Sequence, residues 1–355
     1  MRALLVDDEE PARLRLRSML EEAGFIQVVG EAEDGEAALE AVNSLRPDLL
    51  FLDIQMPGMT GLEVAASLVP PRPQVIFCTA YDQFAIEAFE HHAADYLLKP
   101  LNRDRLKKAL DKVRGRHELA EAGRTQQALF PSGAGAVSTL DYDGSCRPAR
   151  EIGGDYYDFL PVGQGKLCIV VADVAGKGLP AALTMAGLQA RVQMLLADHA
   201  ADPARLAAEL NRGLCGATES NRYVTLFLGV YDAGERSLHY VNAGHERPLW
   251  IRPDGEVRRL DSTGMAVGLF DSASYEASRV QLDPGDAIVA FSDGLTETTN
   301  AEGVELGEEL LAGWVRADPG SAAELRARIV ERADAYRAGG AQADDLTVVV
   351  AKVLP

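Results

Sequence analysis

From residue 1 to about residue 110, short apolar runs alternate with segments of helical period. The runs are ALLVDD, QVVGEA, DLLFLD, QVIFCTA and DYLLKP, and helical segments begin near Pro11, Gly35 and Asp82. Consecutive apolar positions are what a strand needs when both of its faces are covered, and interleaved helices supply the cover. The pattern predicts a doubly wound α/β domain with a parallel five-stranded sheet. Right-handed crossovers then bring the carboxyl ends of all its strands to one rim.

Beyond residue 136 the pattern changes. YVTLFLGVYDAGERS and LHYVNAGHERPLWIRPDGEVRRL set strands on either side of short Gly, Pro and Asp turns, which predicts hairpins and antiparallel sheet. Helical stretches over 180–199, 203–217 and 321–338 lie between groups of strands, so an α+β layered domain is expected. Between the halves runs a polar, helix-prone stretch, NRDRLKKALDKVRGRHELAEAGRTQQALF, ended by Pro131, Ser132 and Gly133. Leu106, Leu110, Val113, His117, Ala120 and Arg124 recur in four- and three-residue steps, with His117 and Arg124 interrupting the seam. Both a solvated linker helix and a dimerising coiled coil fit that spacing. The expected division is residues 1–115, a helical linker over 104–131, and residues 136–355.

Composition narrows the chemistry. A chain of 355 residues with 47% hydrophobic positions can fill two cores. Asp+Glu 54 against Lys+Arg 35 gives a net charge of −19, the wrong sign for a nucleic-acid surface and the right one for metal cations or protein partners. Cys78, Cys146, Cys168 and Cys215 lie far apart with no CxxC, and Cys78 and Cys168 fall inside apolar runs, so buried reduced thiols are expected. MRALLVDDEEP reaches acids too early for a signal peptide, and no stretch approaches the ~18 apolar residues of a membrane span. A cytoplasmic protein without membrane insertion is expected.

On the rim of the first half, Asp7 and Asp8 end the first strand, Asp53 the third, Thr79 the fourth and Lys99 the last. Each alone could cap a helix. Together, three carboxylates repel one another unless a hard dication sits among them, and Lys99 and Thr79 offer a charge and a hydroxyl to a phosphoryl group. VDDEE, FLDIQMPGMTG, FCTAYD and DYLLKPL resemble the flavodoxin-like receiver domain of two-component response regulators, and the wording around CTAYDQFAIEAFEHHAADYLLKP looks most like receivers that precede LytTR domains. The resemblance implies phosphorylation of Asp53 by a histidine kinase. It implies Mg²⁺ held by Asp7, Asp8, Asp53 and the carbonyl of Gln55, with Lys99 on the phosphoryl oxygens and a cis bond before Pro100. It also implies Thr79 and Tyr96 as a switch pair, with core filler as the lesser reading of Tyr96.

Acids stand at strand margins in the second half too: Asp155 in EIGGDYYDF, Asp173 in VVADVAGKGLPAAL, Asp293 in FSDGLTE, and Asp344 beside Asp345 in QADDLTVVV. Desolvated carboxylates are costly unless something compensates them. Singly these are turn residues; jointly they read as ligands for two hard cations. A Walker A loop fails, because Leu160 and Leu167 occupy places that need Gly and Ser or Thr, and no GxSxG elbow is present. His245 in NAGHERP reads as a structural histidine or as an aid to substrate or leaving group, and Arg150 as a surface arginine or a phosphate partner.

GGDYYDF, VADVAGKGLPAAL, YVTLFLGVYD, NAGHERPL, SDGLTE and DDLTVVV resemble the metal-dependent serine/threonine phosphatases of the PPM type, in the SpoIIE/RsbU branch that acts on phosphorylated anti-anti-sigma (STAS) factors. The resemblance implies a two-sheet antiparallel sandwich flanked by helices with two Mn²⁺ or Mg²⁺ ions. Asp173 would bridge them, assisted by the carbonyl of Val174, with Asp155, Asp293 and Asp344 completing the shells. The ions would acidify water and clamp phosphate oxygens, the backbone of Gly176 and Gly178 would approach the phosphate, and Asp345 would take a structural place. Glu246-Arg247 departs from the branch's usual NAGHPPPL, and no anti-sigma kinase module is expected.

The sequence therefore predicts a response regulator whose output is phosphoprotein hydrolysis governed by Asp53, with homodimerisation through receiver or linker. A catalytically silent adaptor that binds a sigma-factor regulator is the alternative; a DNA-binding output is opposed by the charge.

Overall fold

The computed structural model describes residues 1–70, 72–80, 93–131, 134–216, 222–316 and 320–355. The chain divides into two units, Met1–Glu118 and Leu119–Pro355. The helix expected from Asp82 lies outside the described residues.

In the first unit, strands β1 (Arg2–Val6), β2 (Gln27–Ala32), β3 (Leu49–Leu52), β4 (Gln74–Thr79) and β5 (Asp95–Leu98) form one sheet in the order β2-β1-β3-β4-β5. Every pairing is parallel. Helices α1 (Glu10–Ala23), α2 (Gly35–Leu45) and α3 (Gly61–Ser67) follow the first three strands. The apolar runs alternate in direction: Ala3 and Leu5 enter one core with Phe51, and Leu4 and Val6 enter another with Leu50 and Leu52. Two cores, one on each face, are why these strands carry no polar alternation. Helix α3 is an addition to the sequence reading, although its start is written in Thr60-Gly61-Leu62-Glu63. The Thr60 hydroxyl accepts from the Glu63 N–H, and the Glu63 carboxylate accepts from the Thr60 N–H at 2.8 Å.

Helix α4 (Arg103–Gln127) corrects the expectation of a solvated linker. Leu106, Ala109, Leu110 and Val113 are buried in the core of the first unit. Its final turns pack within the second unit, where a Cβ at Gly123 would lie 2.0 Å from the Glu151 carbonyl oxygen. Gln126 is also buried there. The helix looked polar because its apolar positions are confined to one stripe at the start and to small or amide side chains at the end.

The second unit holds two antiparallel sheets. One contains β8 (Tyr156–Pro161), β9 (Lys166–Val174), β10 (Val224–Asp232), β11 (Ser237–Ala243) and β14 (Ser278–Gln281). The other contains β6 (Gly135–Val137), β7 (Leu140–Arg147), β12 (Leu249–Ile251), β13 (Val257–Arg259), β15 (Ala287–Phe291) and β16 (Leu346–Val353). Strand β9 shows how the layers arise. Leu167, Ile169 and Val171 point into the core shared by the two sheets, while Cys168, Val170, Ala172 and Val174 point to helices α5 (Leu179–His199) and α6 (Pro203–Cys215). Strand β16 repeats the device, with Val349 and Ala351 inward and Val348 and Val350 toward α8 (Gly307–Val315) and α9 (Ala322–Arg337). Both strands are apolar at successive positions because each separates two cores. The short helix α7 (Asp293–Thr296) follows β15 directly.

Phe227 is fully buried between the sheets. Phe227→Ala is expected to cost the second unit about 3–5 kcal/mol by lost burial and cavity formation. Urea unfolding of the full chain should show that loss while the signal from the first unit stays in place.

Candidate functional site

The rim of the parallel sheet gathers the expected residues. Asp7 and Asp53 are buried and Asp8 is exposed, and ligand oxygens of all three lie within 4.8 Å of one another. Lys99 places its Nζ 2.7 Å from Asp7 Oδ2 and 2.7 Å from Asp53 Oδ2. Burial works against the charge of Lys99, but the bonds to Asp53 and Asp7 outweigh it and hold the ammonium above its ordinary range. Asp7 is raised, first by burial and further by the charge of Asp53, despite Lys99. The Thr79 hydroxyl is fully buried without a hydrogen-bond partner, and Tyr96 is buried on β5, where it pairs with Phe77, two residues before Thr79. Gln55 sits on the loop after β3 and donates its N–H to Asp53 Oδ1 at 3.2 Å. The Lys99–Pro100 peptide is cis. A Cβ at Gly61 would stand 2.0 Å from the Asp53 carbonyl oxygen, so only glycine lets α3 start this close to the acid.

In the second unit the acids come from strands remote in sequence. Asp173 lies in β9, Asp155 immediately before β8, Asp293 at the start of α7, and Asp344 just before β16. Burial first, and then repulsion from Asp293 and Asp344, pushes Asp173 up to about 7. Asp155 is raised well above the ordinary carboxylate value by burial and by Asp173, and Asp293 by burial and by Asp344. Among the described residues, only the receiver acids bring three carboxylates within 4.8 Å, so this second group is spread more widely. An all-oxygen set in which burial and mutual repulsion penalise the charged forms fits hard divalent cations, which reverse that penalty.

Asp345 behaves differently from its neighbour. Its carboxylate accepts N–H groups from Ala149 at 2.8 Å and from Gly154 at 2.7 Å. It thus fixes the loop that delivers Asp155. The Thr347 hydroxyl donates to Asp155 Oδ2 at 2.6 Å. Glycines permit this crowding: a Cβ at Gly153 would meet Asp345 Oδ2 at 2.4 Å, and one at Gly294 would meet the Asp345 carbonyl oxygen at 2.0 Å. The Val174 carbonyl oxygen lies 3.1 Å from the Cβ position of Gly154, so it faces the same loop. Gly176 and Gly178 adopt φ of 104° and 76° in an open turn.

His245 sits between two strands. It is buried, its Nδ1 lies 2.9 Å from Thr225 Oγ1, and its N–H donates to Asn242. Burial lowers its pKa to about 4, so the ring is neutral and braces the turn after β11 against β10. Arg150 is exposed. Three residues escaped the sequence reading, and Glu246 was met there only as a departure from NAGHPPPL. Glu246 is raised by burial and by the nearby acids Glu308 and Asp293. Lys177 bonds Asp344 Oδ2 at 2.7 Å. Thr347 reads as a strand residue. Gln126 donates to the Gly153 carbonyl at 2.8 Å and accepts the Gly153 N–H at 3.0 Å. For Lys177 a signal was present, its place between two glycines; for Gln126 there was none.

The raised acids have a pH signature. A carboxyl whose folded value lies above its unfolded value holds its proton more tightly in the fold, so its contribution to stability is largest at low pH and declines as pH rises from about 4 to about 7. Without divalent cations, Asp173→Asn should therefore gain on wild type across that window, by up to about 4 kcal/mol. Urea unfolding at successive pH values with EDTA checks the trend, and Mn²⁺ should abolish it.

The comparisons with known proteins agree with this geometry. The profile of Stage II sporulation protein E (SpoIIE) matches residues 163–354, more than half of the chain, and that of the response regulator receiver domain matches residues 3–111. The transcriptional regulatory protein BtsR of Escherichia coli (strain K12) is 43% identical over 148 residues, 41% of this chain and 60% of BtsR. The chain thus spans about 60% of the length of that relative. The SiaA-PP2C domain of Pseudomonas aeruginosa superposes with a TM-score of 0.61 at 21% identity, over 70% of this chain and 100% of that one. The PP2C phosphatase domain and regulatory fragment of the cell fate determinant SpoIIE from Bacillus subtilis gives 0.54 at 20% identity, over 62% of this chain and 64% of that one. These two are likenesses of fold. The narrower LytTR-type label is corrected: the matching receiver profile is the general one, and a phosphatase domain follows it. The chain belongs to the SpoIIE family and joins a response regulator receiver domain to a PPM-type serine/threonine phosphatase domain, a hydrolase.

Proposed function

We propose that this response regulator removes phosphate from serine or threonine of a protein, an anti-anti-sigma factor of the STAS kind, under control of phosphorylation at Asp53 by a histidine kinase. The observation that carries the reading is the shared electrostatic field of Asp155, Asp173, Asp293 and Asp344, delivered by elements far apart in sequence. Asp155, Asp173, Asp293, Asp344 and the Val174 carbonyl would hold two Mn²⁺ or Mg²⁺ ions, which supply acidified water and polarise the phosphoryl oxygens. The chain's own part is to orient. Thr347 fixes the Asp155 carboxylate, Asp345 fixes its loop, and the open turn at Gly176 and Gly178 leaves backbone N–H groups accessible to phosphate.

In the receiver, Asp7, Asp8, Asp53 and the Gln55 carbonyl would hold Mg²⁺, and Lys99 already stands where a phosphoryl group on Asp53 needs a cation. The unpartnered Thr79 hydroxyl supports a switch in which Thr79 turns to the phosphoryl oxygens and Tyr96 follows. The signal would pass along α4, whose far end grips Gly153 through Gln126 two residues before Asp155. Homodimerisation through the receiver or α4 completes the proposal.

The test is Mn²⁺-dependent hydrolysis of a phosphoserine peptide by the full chain, with and without an acyl-phosphate donor. Asp173→Ala and Asp293→Ala should each lower the rate by at least about 100-fold. Asp53→Asn should keep basal turnover and lose the response to the donor. Wild type inert with every divalent cation would overturn the assignment.

A further inference from the structure

Lys177 holds a distinctive position between the acids of the second unit. Its side chain is exposed, and its Nζ bonds Asp344 Oδ2 at 2.7 Å and the Ala343 carbonyl at 3.0 Å. It therefore joins the turn after Asp173 to the turn that carries Asp344. Its charge also acts on Asp173, Asp293 and Glu297, making it a cation common to the acids of the site.

Two features show that this contact is not a strut. The flanking glycines, at φ 104° and 76°, have nothing within 4 Å of their Cβ positions, so the turn is not packed against neighbours. An exposed lysine–carboxylate pair contributes little to stability. The pair is also easily broken by competition, because a dication on the same carboxylate carries twice the charge of an ammonium. Released from Asp344, the ammonium would remain on a flexible stem at the mouth of the site. A phosphate ester arriving there faces Asp293, Glu246 and Glu297, whose mutual repulsion is already visible. It needs a compensating positive charge on the protein.

We propose that Lys177 is a substrate-binding residue with two alternating partners: Asp344 when no dication occupies that carboxylate, and the phosphoryl group of the substrate when one does. The proposal rests on the phosphatase reading above and adds a residue to it. One ammonium then has two opposite effects, opposing metal binding and favouring phosphate binding.

The full chain is tested as wild type, Lys177→Met and Lys177→Arg. Because the side chain is exposed and anchored only at its tip, the variants should unfold at the wild-type temperature. Calorimetric titration with MnCl₂, in the absence of any substrate, should show Lys177→Met binding Mn²⁺ about 3- to 10-fold more tightly at low ionic strength, and Lys177→Arg binding it as wild type does. At saturating Mn²⁺, the KM for a phosphoserine peptide and the inhibition constant for inorganic phosphate should both rise about 10-fold in Lys177→Met and recover in Lys177→Arg. Both shifts, in opposite directions, are required. Unchanged Mn²⁺ affinity, or unchanged KM and phosphate inhibition, overturns the proposal and leaves the phosphatase reading intact. Wild type that neither binds Mn²⁺ nor hydrolyses the peptide overturns both.

Discussion

Repulsion between carboxylates held at strand ends is the constraint on which both halves of this protein are built. Nothing in the hydrophobic core requires acids there, and desolvating them opposes folding. Each unit answers with its own device. In the receiver, one lysine bridges two of the three acids. In the phosphatase, Thr347 donates to Asp155, backbone amides occupy Asp345, and Lys177 reaches Asp344. The adjacent acids Asp344 and Asp345 show how finely this is divided: successive residues entering a strand point to opposite sides, so one carboxylate turns to the site and the other to the amides of the neighbouring loop.

The glycines follow from the same crowding. Gly61, Gly153 and Gly294 each stand where a methyl group would collide with the backbone or side chain of an aspartate or its neighbour. Close backbone approach allows short, rigid connections between strand and acid, and rigidity is what keeps several negative charges in place before a cation arrives. GGDYYDF and SDGLTE set glycine next to aspartate for a steric reason as much as a chemical one.

How much could be read without the structure depended on whether a signal repeats. Successive apolar positions in ALLVDD and DLLFLD marked strands between two cores, and the acids beside them fell on the rim that parallel topology dictates. Antiparallel pairing was legible in the hairpin turns, and the four phosphatase acids in their strand margins. Single contacts were not. The burial of His245 depends on Thr225 and Asn242 meeting it from two strands. The docking of Gln126 depends on a backbone pair at Gly153, which no side-chain pattern records. Helix α4 was misjudged for a related reason: its closest approach uses the absence of a side chain at Gly123.

If the receiver acts through α4 as proposed, that last contact also limits how strongly it can do so. Through the end of α4, a signal would reach the Asp155 loop by two hydrogen bonds and one glycine contact. Hydrogen bonds of this kind contribute about 0.5–1.5 kcal/mol each, and somewhat more when breaking them leaves a buried amide unsatisfied. A contact can bias a two-state site only by the difference it makes between the states. Coupling through Gln126 and Gly123 alone is therefore confined to about 1–3 kcal/mol, a 5- to 150-fold range in the population of the competent site. Such a device would grade an enzyme rather than switch it absolutely, and a wider range would require α4 to act on a second element or on a second copy of the chain.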